Sequence, residues 1–154
     1  MADPLWAPWR LEYIQRTDQA ERCVFCEPED DLVVHRGPTA TVLLNRFPYA
    51  GGHLLVAPRR HVGQFSELTD DEALEIHRLA ARSIAALEAE YVAQGFNLGW
   101  NLGRVAGAGI VDHVHLHVVP RWAGDTNFMP VLADVRVIPE ALTESARRLR
   151  QRWA

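Results

Sequence analysis

Residues 112–121 show the clearest alternation of polar and apolar positions in the chain. Every second residue from 113 to 117 is a histidine, which gives His113, His115 and His117. A strand turns successive side chains to opposite faces, so this spacing predicts three imidazoles on one face, about 7 Å apart at each step. The valines and leucine between them are predicted to point into a core.

Other apolar runs predict four more strands and two helices. Short runs bounded by turn residues cover positions 32–35, 39–44, 53–57 and 96–102, and their short connections favour antiparallel pairing. A capping box begins at Thr69, and apolar residues then recur at helical spacing until Gly95. A second helix is predicted to start at residues 139–140 and to end in a basic run.

Length and composition narrow the class of protein. With 154 residues, 48% of them hydrophobic, the chain fits one globular domain with a full core. A net charge of −4 gives no electrostatic reason to expect nucleic-acid binding, so any phosphate binding must be local. No apolar run is long enough to span a membrane, and no signal region begins the chain. We therefore expect a cytoplasmic protein with no nucleic-acid or membrane partner.

Three alternating histidines are compatible with two chemistries. Neutral imidazole is a common metal ligand, so the three rings could share a cation, as expected of a metalloenzyme. Alternatively, one imidazole could act as a nucleophile while its neighbours orient it and contact an anionic substrate. A solvated strand edge that is merely rich in histidine is the third interpretation.

Cys23 and Cys26 form the chain's Cys-x-x-Cys motif. A redox pair would be expected to open a helix, and the acidic, proline-containing residues that follow do not predict one. A structural zinc would need two further ligands. The candidates are His35, His53, His61 and His113. Two reduced, buried thiols are the remaining alternative.

Two loops carry candidate site residues. Asn45 follows a strand end, where polar residues often serve a site, although it could equally cap the loop. Asn101 opens a glycine-rich loop that leads directly into the histidine run. Small residues let backbone N–H groups approach an anion closely, so this loop is predicted to contact phosphate.

The run from His113 to Val119 resembles the signature of the histidine triad (HIT) superfamily of nucleotide hydrolases and transferases. The resemblance covers residues 6–139, and the Arg-Trp-x-Gly-Asp-x-Asn-Phe sequence after the triad is similar to that of dinucleoside polyphosphate phosphorylases. It implies an α+β fold with a five-stranded antiparallel sheet, one long helix and a C-terminal helix, commonly as a homodimer. The single domain 1–154 would comprise an arm (1–30), the sheet and main helix (31–120) and a C-terminal loop and helix (121–154).

The resemblance also implies a role for each site residue. His115 would attack the α-phosphorus of a nucleotide, His117 would contact phosphate oxygens, and His113 would support the strand. The substrate-binding positions implied are Asn45, His53, Asn101, Gly107, Ala108, Gly109 and His117. Many family members have Gln, Ser or Thr where this chain has Gly109 and Ile110, so backbone groups, Asn101 or Arg104 would have to bind phosphate instead.

Some HIT proteins carry a structural zinc, and matching their pattern implies the ligands Cys23, Cys26, His61 and His113. No catalytic metal is implied, although the substrate could arrive as a magnesium complex. The predicted activity is cleavage of a dinucleoside polyphosphate similar to diadenosine tetraphosphate, with water or orthophosphate as acceptor. The alternatives are hydrolysis of a nucleoside phosphoramidate or adenylyl conjugate, and a noncatalytic nucleotide sensor.

Overall fold

The computed structural model describes residues 22–125 and 140–153. Their strands and helices follow in chain order as β1 (Val33–Arg36), β2 (Ala40–Leu44), β3 (Leu54–Pro58), α1 (Asp70–Tyr91), β4 (Gly95–Trp100), β5 (Leu116–Arg121) and α2 (Leu142–Trp153). Short 3₁₀ turns occupy Phe65–Glu67 and Arg104–Ala106. Most of the predicted arm (residues 1–21), most of the loop after the triad (126–139) and the predicted start of the second helix at residue 139 lie outside the described residues.

The five strands form one antiparallel sheet with the order β1-β2-β3-β5-β4. The predicted α+β class and five-stranded antiparallel sheet are confirmed. Strand β5 lies between β3 and β4, so His117 is paired with Leu55 on one side and with Gly99 on the other. The strand that carries the histidines therefore has a fixed register on both sides.

Helices α1 and α2 pack on one face of the sheet. Helix α1 starts as predicted, because the Thr69 hydroxyl accepts from the Glu72 N–H while the Glu72 carboxylate accepts from the Thr69 N–H. It ends at Tyr91, before Gly95, because Val92 takes a left-handed conformation with φ 52°. The core between sheet and helices includes the fully buried Leu87 of α1 and Leu149 of α2.

The opposite face of the sheet carries a second apolar cluster. Its buried members are Phe25, Val33, Leu43, Leu55 and Ala57. Strands β2 and β3 are consequently buried on both faces, which explains why they read as continuous apolar runs. The histidines lie on this second face.

Several predicted boundaries differ from the structure, and those of β1, β2 and β3 differ by one residue. Strand β5 begins at Leu116, so His113 and His115 precede it; there the Val114 N–H donates to the Val62 carbonyl at 2.8 Å. Strand β4 covers Gly95–Trp100, whereas residues 96–102 were expected, and α2 begins at Leu142. No helix among the described residues is long and apolar enough to cross a membrane.

Candidate active site

The three histidines of the triad are buried, with exposed fractions of 0%, 6% and 9% in chain order. Alternation places Leu116 and Val118 in the core beneath the helices, as the pattern predicts. The histidine face is covered because Phe25, between the two cysteines, packs its ring 5.1 Å from that of His113 and 4.6 Å from that of His115. The local sequence predicts which face carries the histidines, but the segment around Phe25, distant in sequence, buries that face.

His115 is held in one tautomer. Its Nδ1 lies 2.9 Å from the backbone carbonyl of His113, so Nδ1–H donates and the lone pair remains on Nε2. Burial lowers the pKa of His115, the bond to the carbonyl opposes that shift, and neutral imidazole is favoured. A neutral ring with a directed lone pair can act as a nucleophile.

His117 is linked to a second buried histidine. The Tyr49 N–H donates to His53 Nδ1 at 3.0 Å, and His53 Nε2 lies 3.0 Å from His117 Nδ1. Neutral His53 must then carry its proton on Nε2 and donate it to His117, which leaves the proton of neutral His117 on Nε2. His53 is fully buried, so its side chain acts on the site through His117.

Asn45 is both a loop-capping residue and part of a cavity wall. Its Oδ1 accepts from the Phe47 N–H at 2.9 Å, and its Nδ2 lies 3.4 Å from His53 Nδ1. The apolar cavity that it borders is also lined by Val24, Phe25, Glu27, Glu29, Leu32, Leu43, Leu44, Arg46, Phe47, Leu55, Ile110, His115 and His117. Aliphatic and aromatic walls that end at two imidazoles suit a flat ring attached to a phosphate.

Contacts within the glycine-rich loop set its conformation. Asn101 Nδ2 donates to the Gly107 carbonyl at 3.4 Å, and Gly107 has φ 93°, a conformation that favours glycine. Ala108 is buried, Gly109 is half-buried, and Ile110 lines the apolar cavity. Asn101 therefore supports the loop that precedes the triad.

A polar cavity lies on the other side of His117. It has a volume of about 390 Å³ and is lined by Tyr49, Ala50, Asn97, Leu98, Gly99, Asn101, His117, Val119, Arg121 and Asp125. Arg121 donates to both Asp125 oxygens, at 2.5 and 2.9 Å, and to Asn97 Oδ1 at 2.8 Å. Arg121 holds the pKa of Asp125 at about 2, so this carboxylate stays charged.

A cluster of four metal-capable side chains lies at the other end of the triad. It consists of Cys23, Cys26, His61 and His113, and their ligand atoms all lie within 4.8 Å of one another. His113 Nδ1 is 3.2 Å from Cys23 Sγ and 3.6 Å from Cys26 Sγ, and His61 Nδ1 is 3.2 Å from Cys26 Sγ. The cluster can bind a metal ion.

The donor set fits a tetrahedral zinc. Bond lengths of about 2.3 Å to sulfur and 2.0 Å to nitrogen separate such ligands by about 3.6 Å, close to the distances found. His113 Nε2–H donates to the Pro58 carbonyl at 2.8 Å, so the Nδ1 lone pair of His113 remains for a metal. His61 directs its Nδ1 at Cys26 Sγ, while its Nε2 lies 3.7 Å from Asp112 Oδ2. Burial and the adjacent Cys23 raise the pKa of the Cys26 thiol to about 11.

The geometry also distinguishes the interpretations of the sequence. The cluster shares His113 with the triad and includes neither His115 nor His117. His115 directs its Nδ1–H to a backbone carbonyl and His117 is paired with His53, an arrangement that favours a nucleophile with oriented neighbours over three shared metal ligands. Of the four histidines considered as ligands, His35 stacks on Trp153 and His53 contacts His117, so both lie away from the cluster.

Sequence reasoning missed several residues of the site. Phe25 covers two triad histidines. The Tyr49 ring is tilted against that of His53, with centroids 4.8 Å apart, and stacks on that of His117, with centroids 5.9 Å apart. An aromatic residue inside a Cys-x-x-Cys motif is a weak signal of this role. The Pro58 carbonyl, which orients His113, has no side-chain signal at all.

Comparison with known proteins extends the similarity beyond the triad. Residues 27–124 match the family model described as HIT domain. The AP-4-A phosphorylase of Mycobacterium tuberculosis is 36% identical over 163 aligned positions, which cover 97% of this chain and 84% of that protein. The bifunctional bis(5'-adenosyl)-triphosphatase/adenylylsulfatase FHIT of Arabidopsis thaliana is 32% identical over 120 positions, covering 78% of this chain and 63% of that protein.

Solved structures share the fold. A Zn-bound histidine triad family protein from Mycobacterium smegmatis superposes with a TM-score of 0.69 at 28% identity, covering 85% of this chain and 92% of the other. The similarity therefore includes the sheet and its helices as well as the motif.

Proposed function

Because this chain belongs to the HIT domain family, we propose that it cleaves a dinucleoside polyphosphate, similar to diadenosine tetraphosphate, through a nucleotidyl-histidine intermediate. The observation that carries the proposal is the fixed tautomer of His115 beside the apolar cavity. The similarity to the AP-4-A phosphorylase of Mycobacterium tuberculosis supports this class of substrate.

The first step forms the intermediate. The His115 Nε2 lone pair attacks the α-phosphorus, a bond forms between nitrogen and phosphorus, and the bond to the bridging oxygen breaks. The departing nucleoside phosphate takes that electron pair. The His117 Nε2–H is placed by the relay through His53 to donate to phosphate oxygens as their charge builds.

The second step regenerates the enzyme. An oxygen of water or orthophosphate attacks the same phosphorus and breaks its bond to His115 Nε2, which recovers its lone pair. Water yields a nucleoside monophosphate and orthophosphate yields a nucleoside diphosphate. Both products follow from one intermediate, so the identity of the acceptor requires product analysis.

Each substrate-binding position implied by the resemblance is assigned a role from its contacts. The apolar cavity would hold the nucleoside, with Asn45 at its edge toward the sugar and the loop of Gly107, Ala108 and Gly109 toward the phosphates. His53 would orient His117, and Asn101 would support the loop through the Gly107 carbonyl.

We also propose that Cys23, Cys26, His61 and His113 hold a structural zinc. When bound, zinc would cross-link the loop before β1 to the segments that follow β3 and precede β5. The chemistry would remain with His115 and His117. A homodimer remains a prediction from the resemblance, and a cytoplasmic location remains a prediction from the sequence. Light scattering on the purified protein tests the first.

The experiment that tests the proposed activity is rapid mixing with diadenosine tetraphosphate, alkaline quenching and intact-mass spectrometry. Phosphorus–nitrogen bonds to histidine are labile in acid, so alkaline conditions preserve the intermediate. We expect a mass increase of one adenylyl group on the wild-type protein and none on His115→Ala. Products formed with and without orthophosphate then identify the acceptor.

The matched control is His77→Ala, because His77 is exposed on α1, on the side of the sheet away from the triad. This variant is expected to form the adduct at the wild-type rate. Turnover by His115→Ala at the wild-type rate would refute the role of His115 as the nucleophile. Binding without turnover by the wild type would indicate a nucleotide sensor instead.

A further inference from the structure

His117 separates two cavities on the same face of the sheet. It lines the apolar cavity together with His115, and it lines the polar cavity together with residues of β4 and β5. The volume of the polar cavity, about 390 Å³, is within the range of roughly 300–1,000 Å³ typical of small-molecule sites. A substrate whose phosphorus lies at the two imidazoles can therefore extend in two directions.

The floor of the polar cavity is open because of a glycine. Gly99 is the register partner of His117 across β4 and β5, and a Cβ placed on it would meet nothing within 4 Å. Its backbone is not in the left-handed region, so the position does not require glycine for conformational reasons. The effect of glycine here is to leave space beside His117.

The polar groups of this cavity suit an anionic ligand. Arg121 donates to Asn97 Oδ1, which fixes the orientation of that amide and leaves its NH₂ group as the donor for a ligand. The Asp125 carboxylate also borders the cavity, but its two oxygens accept from the Arg121 guanidinium and its charge is compensated. Tyr49 adds an aromatic ring next to His117.

We propose that the polar cavity binds the part of the dinucleoside polyphosphate beyond the scissile bond, that is, the leaving nucleoside phosphate. This inference rests on the proposed function. The first nucleoside occupies the apolar cavity and the α-phosphorus lies at His115 and His117, so the remaining phosphates must leave on the other side of His117. Asn97 and Arg121 offer N–H donors to them there, and Gly99 provides the passage.

The proposal predicts discrimination between substrates with large and small leaving groups. The long substrate is diadenosine tetraphosphate, and the short one is adenylyl sulfate, whose leaving group is a single sulfate. In the series Gly99→Ala, Gly99→Val and Gly99→Leu, the added side chain fills the cavity progressively. We expect the ratio of kcat/KM for the long substrate over that for the short one to fall stepwise, by at least tenfold at Val.

Two further variants distinguish the filling of the polar cavity from damage to strand β4. Gly95→Val adds the same side chain to β4, also into open space but outside the lining of the cavity, and should leave the ratio unchanged. Asn97→Asp keeps the shape and places a negative charge toward the phosphates, so it should lower the ratio as well. Valine favours strands more than glycine does, and Gly99→Val should therefore not lower Tm.

Three results would overturn the assignment of the polar cavity to the leaving group. An equal loss for both substrates would show that Gly99 serves the strand or His117, and would overturn the proposal. An unchanged ratio would also overturn it, and a selectively raised KM for orthophosphate would assign the cavity to the acceptor instead. If the wild-type protein cleaves neither substrate, the proposed function itself fails, which is a distinct result.

Discussion

His113 contributes to two neighbouring centres with different parts of one residue. Its ring Nδ1 faces the thiols of Cys23 and Cys26, while its backbone carbonyl accepts the Nδ1–H of His115. A proposed metal ligand would thus fix the tautomer of the proposed nucleophile without touching the substrate. One residue can serve both centres because its side chain contacts the cysteines while its backbone carbonyl contacts His115.

The relay from Tyr49 through His53 to His117 gives a prediction at the scale of single residues. His53→Gln keeps an N–H donor near the position of Nε2. His53→Leu removes this donor and fills the site with an apolar side chain of similar size. We expect His53→Leu to lower kcat about 10–100-fold, as for other groups that orient a site residue, and His53→Gln to lower it clearly less. Steady-state kinetics with diadenosine tetraphosphate measure both.

Because His53 is fully buried, folding must be checked in parallel. Thermal unfolding of both variants shows whether the native state persists at the assay temperature. Equal kcat values for the two folded variants would contradict an orienting role for the hydrogen bond.

At the scale of elements, the start of α1 is fastened to the segment that carries His61. Glu72 caps the helix and also accepts from Arg60, whose guanidinium lies 3.0 and 2.9 Å from its two oxygens. Arg60 precedes His61 in the chain and also donates to the Glu67 carbonyl at 2.7 Å. Helix α1 and one proposed metal ligand are therefore positioned by the same ion pair.

This ion pair predicts how stability changes with pH. The hydrogen bond from Arg60 is the main cause that lowers the pKa of Glu72 from 4.5 to about 2. Between these values the unfolded chain binds a proton that the native protein does not. The stabilisation is therefore complete above pH 4.5 and is lost as the pH falls toward 2. The variant Glu72→Gln, which can still cap the helix, should lower the free energy of unfolding by about 1.5 kcal/mol at pH 7.

Urea unfolding of the wild type and Glu72→Gln at several pH values between 7 and 2.5 tests this prediction. The difference between them should shrink below pH 4.5. The control is Asp71→Asn, which removes an exposed carboxylate from the same helical turn and should cost less. A difference that stays constant down to pH 2.5 would contradict the assigned cause.

At the scale of the whole molecule, the metal-capable cluster joins three distant segments of the chain. Cys23 and Cys26 precede β1, His61 follows β3, and His113 precedes β5. A bound zinc would close long loops and would oppose separation of the N-terminal segment, with Phe25, from the triad. Phe25, which covers the candidate site, and the metal-capable cluster therefore belong to one structural unit.

Metal analysis and chelation test this unit. We expect about one zinc per chain in the purified protein and loss of it in Cys26→Ser, while His77→Ala retains it. Removal of zinc with a chelator should lower Tm by at least about 4 °C, because a ligand that binds only the folded state stabilises it. Equal zinc content in the wild type and Cys26→Ser would refute this set of ligands.

The sequence by itself determined most of the elements and singled out the candidate catalytic histidines. Local signals are sufficient for these, since a period of two places Leu116 and Val118 in the core, and the capping box at Thr69 starts α1. The spacing of the histidines and of the two cysteines limited their chemistry to a few alternatives, and the family resemblance chose among these. The boundaries of β5 were less accurate, because Val114 bonds to Val62, a partner far away in sequence.

Only the tertiary structure decided how these parts act together. The burial of the triad depends on Phe25, and the tautomer of His117 depends on His53, which lies 64 positions away. The open floor beside His117 depends on the pairing of β5 with Gly99 of β4. The tautomer of His117 and the two cavities arise from contacts between segments that are distant in sequence, and such contacts leave no periodic pattern in the chain itself.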